Sequence, residues 1–507
     1  MHRVMSVKDS LVSSILKAAY KAPWYVAVSI FRLLYGFQVE GEEKLPSVGP
    51  FILAIGEPSL IGVLASGWLS TKVLIEALER KPGSAMSYMQ DQLFALPYFR
   101  KLQDNKAWGR YDALIPHAAG RMALSLVDGC RILHEGGIVI MNPQGDGPWD
   151  GRPLPVGRSL AWLGLHSAAP VVPAVCSIGA YEVWPRWQMS PYLSGRLTLR
   201  VGQPFKLCDT PQEKVTDEDL ERATAHIQAV WEKLCYGPGG VAGWAGLPMR
   251  HGLPCEGPIQ VQAQADRAPS AQERGRTQSS VLKRGMALLL WRCPVCHTND
   301  ALIHRRPWFR LQSLECRACG IRWTVRRVIN NDFRLEVVSG PPELVGLDMA
   351  LSSWYDEVKR NFRPTLTPAA DVDLLPGEEV YLAASDVALL PHRPNALFEG
   401  WTGREPPQAQ PPGRPQLGDW ASIGAGRLIL TNHRLLWQGP QGELDFKWSS
   451  VTAVYLWLVN TLGLQYGTAR YRFSLGQEVG LKWLTYAGTL AREATRHDGH
   501  QVSVSAF

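Results

Sequence analysis

At 507 residues the chain is too long for one ordinary domain, and with 46% apolar and 20% charged residues it is not a wholly disordered polypeptide. Lys and Arg number 53 against 46 Asp and Glu, so the net charge of +7 is thinly spread and does not by itself mark a nucleic-acid binder. Five of the nine cysteines (Cys130, Cys176, Cys208, Cys235, Cys255) are scattered and four form two close pairs, a pattern that excludes a disulfide framework and points to a reducing compartment.

Met1 to Asp9 lacks the apolar core of a signal peptide. The best membrane candidate, Ala22 to Val39, contains Arg32 and is interrupted by Pro23. Its uncharged part, Ala22 to Phe31, is well short of the roughly 20 residues a spanning helix needs. Two readings stay open. The helix lies on a membrane surface, with Trp24, Tyr25, Ile30, Phe31 and Leu34 toward lipid and Lys17, Lys21 and Arg32 at the headgroups. Alternatively it packs on its own domain as an ordinary amphipathic helix. Leu45 to Thr71 is also apolar but carries Glu57, Gly and Pro, and reads as core.

Residues 1–236 are predicted to form one α/β domain. Phe51 to Ile55, Ile138 to Met141 and Ala169 to Val175 are short apolar runs bounded by Gly and Pro, as buried parallel strands are. Gly120 to His134 reads as a helix. The domain closes with a second, capped by Thr216 with Asp219 three residues on, along which Leu220, Ile227, Trp231 and Leu234 form one stripe. Residues 237–285, rich in Gly, Pro, Gln, Ala and Ser, read as a flexible linker. Residues 286–338 hold the cysteine pairs, 345–362 a connecting helix, and 373–496 a mainly β domain with a Pro-rich loop at 403–418 and a closing helix near Glu478 to Glu493.

Cys293-Pro294-Val295-Cys296 and Cys316-Arg317-Ala318-Cys319 supply four thiolates at the spacing of a closed tetrahedral Zn²⁺ site. Gly320 follows the second pair, where the backbone must turn around the metal. Flanking strands at Met286 to Trp291 and Ile321 to Val328 complete a zinc-ribbon pattern. Four thiolates leave no open position, so the metal is structural, and His297 and His304 are bystanders. From Arg292 to Arg334 there are nine Arg, no Lys and three acids, a net +6. Such a face can meet anionic lipid, an acidic protein partner or nucleic acid, or be a plain solvated surface. Only Trp308, Phe309 and Trp323 interleave with the arginines, which argues against nucleic acid.

Val39-Glu40-Gly41, Leu45-Pro46 and Gly49 to Ala54 resemble the lead-in of the glycerolphosphate and lysophospholipid acyltransferases. Asn142-Pro143-Gln144-Gly145 resembles that family's third block, Phe-Pro-Glu-Gly. Pro155 to Arg158, Val171 to Pro173 and Gly202-Gln203-Pro204 match later positions, and Arg110 stands for the second-block arginine. The resemblance covers about residues 25–235. It implies an α/β fold in which a His base, oriented by Asp, activates a lysophospholipid hydroxyl toward an acyl thioester from acyl-CoA or acyl carrier protein.

The departures fall on that machinery. Glu57 stands where the His belongs, Gly62 where its Asp partner belongs, and Gln144 where the third-block Glu belongs. None of the twelve histidines has an Asp five positions later. Replacing imidazole by carboxylate lowers the basic pKa by about two units, or roughly 3 kcal/mol of proton affinity. Burial can recover part of that at Glu57, but Gly62 can orient nothing. The resemblance therefore implies one of two functions. Either the domain binds a glycerophospholipid, lysophospholipid or acyl chain without chemistry, or it is an active acyltransferase with Glu57 as base. In both, Ser59, Arg110, Gln144, Gly145 and Arg158 are the substrate-side residues, the arginines facing phosphate.

Gly426 to Trp437 resembles the signature strand pair of GRAM and pleckstrin-homology-like domains, and the closing helix with Trp483 and Leu484 agrees. Relatives of that kind bind phosphoinositides or proteins, which makes Arg427, Arg434 and Lys447 candidate phosphate contacts. The whole reads as a cytoplasmic protein of three modules, peripherally associated with the inner face of a membrane.

Overall fold

The computed structural model describes residues 26–56, scattered helical positions within 65–76, strands 85–90 and 114–117, and 122–144, 149–176, 181–236, 281–391 and 422–506, with short breaks. The chain divides into two compact units. One holds Met1–Arg186, Ser190–Glu256 and Arg327–Arg334, and the other Trp187–Met189, Gly257–Arg326 and Leu335–Phe507.

The first unit is built on a seven-stranded sheet in the order β1-β7-β6-β2-β5-β3-β4. The strands are β1 Gln38–Glu40, β2 Phe51–Gly56, β3 Ala85–Gln90, β4 Leu114–His117, β5 Ile138–Met141, β6 Val171–Cys176 and β7 Thr198–Val201. Its helices are α1 Met122–His134, α2 Arg158–Ser167 and α3 Asp217–Tyr236. β2 runs parallel to both neighbours, Leu53 pairing with Ile140 of β5 and Val172 of β6, while β7 is antiparallel to β6. All of β2 is buried, which is why it reads as an uninterrupted apolar run.

Side-chain alternation along β2 divides the core in two. Phe51, Leu53 and Ile55 pack with Ala65, Leu69 and Val73, which lie in the helical stretch after β2. Ile52 and Ala54 pack with Leu160 and Leu163 of α2 and with Ile227 and Trp231 of α3. The chain leaving β2 thus runs over one face of the sheet and the chain leaving the adjacent β5 over the other. Such a switch between neighbouring parallel strands opens a crevice at their carboxyl ends. The N-terminus of α3 carries the expected reciprocal cap: Thr216 N–H donates to Asp219 Oδ2 and Asp219 N–H donates to Thr216 Oγ1, both at 3.2 Å.

Most of a five-stranded sheet, β12-β11-β10-β9-β8, belongs to the second unit, with β8 Leu302–Arg305, β9 Gln312–Cys316, β10 Arg322–Arg327, β11 Phe333–Ser339 and β12 Asp348–Ala350; Arg327, Phe333 and Arg334 count with the first. The apolar run expected as a strand from Met286 instead opens in the second of two 3₁₀ turns within Val281–Leu288, which a non-helical Gly285 separates. Met286 accepts from the amides of Leu289 and Leu290 and donates its own to His304 Nδ1, so its backbone groups turn inward and none reaches a strand partner. The connecting helix is shorter than expected. α4 is Leu351–Arg360, with Leu351, Trp354 and Val358 buried, because Leu347 is taken by a backbone bond from Val337.

Eight antiparallel and parallel strands make the third sheet, β16-β15-β14-β13-β19-β18-β17-β20, with α5 Gly480–Thr495 packed on β17, β18 and β20. They are β13 Val380–Pro391, β14 Ala425–Thr431, β15 Arg434–Gly439, β16 Gly442–Lys447, β17 Val451–Trp457, β18 Thr461–Tyr466, β19 Ala469–Ser474 and β20 Ser503–Ala506. The sheet therefore continues past 496. The N-terminal unit is mixed α/β and the C-terminal sheets are mainly β, as the residue patterns imply. The linker through 280 and the loop at 403–418 lie outside the described residues.

Candidate functional site

Gly56 ends β2 and Asn142-Pro143-Gln144 follows the neighbouring β5, so Gly56 and Gln144 come together at the carboxyl ends of these strands. A β carbon on Gly56 would lie 2.5 Å from Cζ2 of Trp231 and 3.4 Å from Oε1 of Gln144. Asn142 Oδ1 accepts from the Gln144 amide at 3.0 Å, and Gln144 Nε2 donates to the Leu154 carbonyl at 2.5 Å. Gly157 N–H closes the loop on the Pro143 carbonyl at 2.8 Å, and Val156 N–H is held by Gln228 Oε1 of α3 at 2.7 Å. The Gln144 amide group is thus committed to the loop, leaving Oε1 as a neutral acceptor with no proton to exchange near neutral pH.

Trp231 is fully buried, and its indole N–H has no hydrogen-bond partner among the described residues. Trp231, a member of the apolar stripe of α3, and Asp150 both lie outside the sequence motifs. Asp150 is a buried acid in the same β5–α2 loop, and the Arg152 side chain occupies it through Nε at 2.9 Å. Its other oxygen accepts from the Arg152 backbone amide at 3.1 Å, so both are taken up within the loop. Arg158 opens α2. Its exposed guanidinium meets Asp217 at 3.1 Å and Glu221 at 2.8 Å, both on α3. Glu57, Ser59, Arg110 and Gly145 lie outside the described residues.

In the second unit Cys293, Cys296, Cys316 and Cys319 bring their sulfurs within 4.8 Å of one another, and all four are free thiols. Cys296 and Cys316 are 3.6 Å apart, Cys293 and Cys319 3.9 Å. Tetrahedral zinc bonded at about 2.3 Å sets its sulfurs about 3.8 Å apart, so the donor set fits one thiolate-bound metal ion. The two knuckles repeat one turn. His297 N–H reaches the Cys293 carbonyl at 3.0 Å, and Gly320 N–H reaches the Cys316 carbonyl at 2.9 Å. Both turning residues are left-handed, His297 at φ 58° and Gly320 at φ 73°. Hydrogen bonds from Cys293, and after it Cys316 and Cys319, hold the Cys296 thiol far below the ordinary range. The bond with Cys293 leads in bringing Cys316 down to about 7, while burial leads in pushing Cys293 well up and, against the lowering bond with Cys293, the bonds with Cys296 and Cys316 push Cys319 up. Thiolate is the form a metal takes.

His304 is not part of this set. Its Nδ1 accepts from the Met286 amide at 3.1 Å, and Nε2 donates to Gln312 Oε1 at 3.1 Å. Burial, with Arg306 second, drives its pKa down to about 3, so it stays neutral. Much of the arginine charge nearby is engaged: Arg292 with the His297 carbonyl, Arg305 with Glu315, Arg306 with the Lys283 carbonyl and Arg326 with Asp348. Arg317 and Arg322 stand exposed at the second knuckle.

The expectation that Arg434 meets lipid phosphate is overturned by its surroundings. It is buried, with Nε and Nη2 on the two oxygens of Glu378 at 2.8 and 3.0 Å and Nη1 on Asp445 at 3.2 Å. The fork that would clamp a phosphate is already closed on carboxylates. No helix among the described residues is long and apolar enough to cross a membrane. In the helical stretch 26–35, Val28 and Tyr35 are buried while Val26, Ile30, Leu33 and Leu34 are exposed; Trp24, Tyr25 and Phe31 lie outside the description.

No protein-family model and no curated protein matches this sequence. Among solved structures, the chain is similar to the 1-acyl-sn-glycerophosphate (LPA) acyltransferase PlsC from Thermotoga maritima, at 17% identity and TM-score 0.32 over 44% of this chain and 81% of that one. It is also similar to the Vps36 N-terminal PH domain, at 15% identity and TM-score 0.16 over 24% of this chain and 84% of that one.

Proposed function

We propose that this protein binds a glycerophospholipid, lysophospholipid or acyl chain at a membrane surface, in a crevice of acyltransferase type that has lost its proton-transfer groups. The observation that carries this reading is the meeting of Gly56 with Gln144 at the carboxyl ends of β2 and β5. That is where an open α/β sheet takes its ligand. The third-block carboxylate is there replaced by an amide tied to Leu154. Trp231 adds a buried indole N–H suited to a carbonyl or phosphate oxygen. The exposed Val26, Ile30, Leu33 and Leu34, beside Arg32, support contact with lipid from the cytoplasmic side. The four-cysteine cluster holds a structural Zn²⁺.

Two measurements test the reading on the purified full chain. Native mass spectrometry is expected to find a co-purifying glycerolipid or acyl species. Acyl-CoA with lysophosphatidate is expected to give no turnover. Turnover that disappears in Glu57→Gln would overturn the non-catalytic reading and establish the carboxylate as a base.

A further inference from the structure

The first cysteine knuckle is locked on its outer side. Asn299, three residues beyond Cys296, donates through Nδ2 to the Tyr486 hydroxyl at 2.6 Å. Thr365 Oγ1 shares that hydroxyl at 2.8 Å. The next residue, Asp300, places Oδ2 at 2.6 Å from Lys482 Nζ and Oδ1 at 2.7 Å from Arg284. Lys482 is 5% exposed, and its second carboxylate partner is Glu478 at 2.6 Å. Behind these bonds, the Trp291 ring lies 5.9 Å from Tyr486 and 5.6 Å from Phe362, two residues ahead of Cys293. Lys482 and Tyr486 belong to α5, the helix that closes the eight-stranded sheet.

Each of these bonds exists only when both ends are ordered. Within the Cys293–Ala301 turn, the Cys293 amide donates to the Thr298 carbonyl at 3.0 Å and the Asp300 amide to the Trp291 carbonyl at 2.8 Å, and the metal would add the tie between Cys293, Cys296 and the second knuckle. If the turn opens, Lys482 loses one of two carboxylates while buried, and Tyr486 loses a donor. Whatever orders the turn therefore stabilises α5, and by reciprocity α5 stabilises whatever binds the turn.

We propose that Asn299, Asp300, Lys482 and Tyr486 position the first knuckle, so that metal loading of the four-cysteine cluster and seating of α5 on its sheet are one linked equilibrium. The inference rests on the metal assignment above. Partners that orient a metal's ligands from outside carry about ten- to hundredfold in affinity.

The test uses the full chain and three readouts. Zinc content is measured first on wild type. Zinc affinity is then compared by competition with a chromophoric chelator in wild type, Tyr486→Phe, Lys482→Met and Leu436→Val, the last loosening the same sheet at Leu436 without touching these bonds. Amide exchange across residues 480–495 is compared before and after zinc is stripped from wild type. We expect Tyr486→Phe and Lys482→Met to bind zinc about tenfold more weakly, Leu436→Val to bind as wild type does, and stripping to speed exchange in α5. Should Lys482→Met not fold, Tyr486→Phe and the wild-type exchange carry the test. Unchanged affinity in Tyr486→Phe, an equal loss in Leu436→Val, or unaltered exchange after stripping overturns the linkage alone. A wild-type chain without zinc overturns the metal assignment and this inference with it.

Discussion

Gly56 lies under the indole of Trp231 so closely that a β carbon there would sit 2.5 Å from ring atom Cζ2. Gly56→Ala must displace a fully buried ring, and overpacking of that kind costs about 1–3 kcal/mol. Trimming the ring should relieve it: Trp231→Phe combined with Gly56→Ala is expected to be more stable than the two separate losses add up to. Urea denaturation of the four proteins, as a double-mutant cycle, measures the coupling.

Glu378 and Arg434 form a buried ion pair that Asp445 and Thr431 complete. Burial pushes the Glu378 carboxyl up, but the bonds from Arg434, the Leu375 amide and Thr431 outweigh it and hold the group below the usual carboxylate range. Removing one partner strands a buried charge, so Glu378→Ala is expected to lose about 3–5 kcal/mol. A carboxylate with a lowered native pKa contributes its full stability above the unfolded value near 4.3, about where free Glu titrates. That contribution falls as pH drops through the native value. Acid titration of the second unit's unfolding should show this slope in wild type and a flatter one in Glu378→Gln.

His304 predicts a pH dependence in a higher window. Its native pKa of about 3 is below the ordinary imidazole value, so the unfolded chain binds the proton first. Stability is therefore full above about pH 6.5 and falls by about 1.4 kcal/mol per pH unit below it, until the native group titrates. Between pH 6.5 and 5, where carboxylates stay ionised, His297, whose pKa burial also lowers, adds to this slope. In His304→Asn the side-chain oxygen can still accept from Met286, and the slope in that window should flatten without vanishing.

Metal analysis of the purified chain should return one zinc per molecule, and Cys316→Ser should abolish it. Chelation is expected to alter the near-ultraviolet circular dichroism, because Trp291 and Trp323 are both fully buried in the cysteine-bearing region.

What could be read beforehand follows the range of the interactions. The two cysteine pairs were legible because each knuckle is a local turn, and the spacing alone brings the thiols together. β2 and β5 announced themselves because a parallel strand buried on both faces has no polar alternation. Thr216 and Asp219 cap α3 within one turn. The Met286 run has the apolar pattern of a strand, but the Met286 amide is held by His304, 18 residues away. Arg434 passed for a lipid ligand because Glu378 lies 56 residues upstream. Trp231 stayed hidden for the same reason, since nothing near Gly56 in sequence tells which ring will cover it.

The strand Ser503–Ala506 pairs in parallel with β17, and a β carbon on Gly488 of α5 would touch Val504 at 2.8 Å. A chain cut at 496, the boundary the residue pattern suggests, would bare the backbone donors and acceptors of Ala453 to Leu456 that now pair with Ser503 to Ala506. An unpaired strand edge templates strand addition between molecules. Ser503–Ala506 thus covers an edge open to self-association, and removing it is expected to make association more concentration-dependent than in the chain that keeps it, as sedimentation velocity would measure.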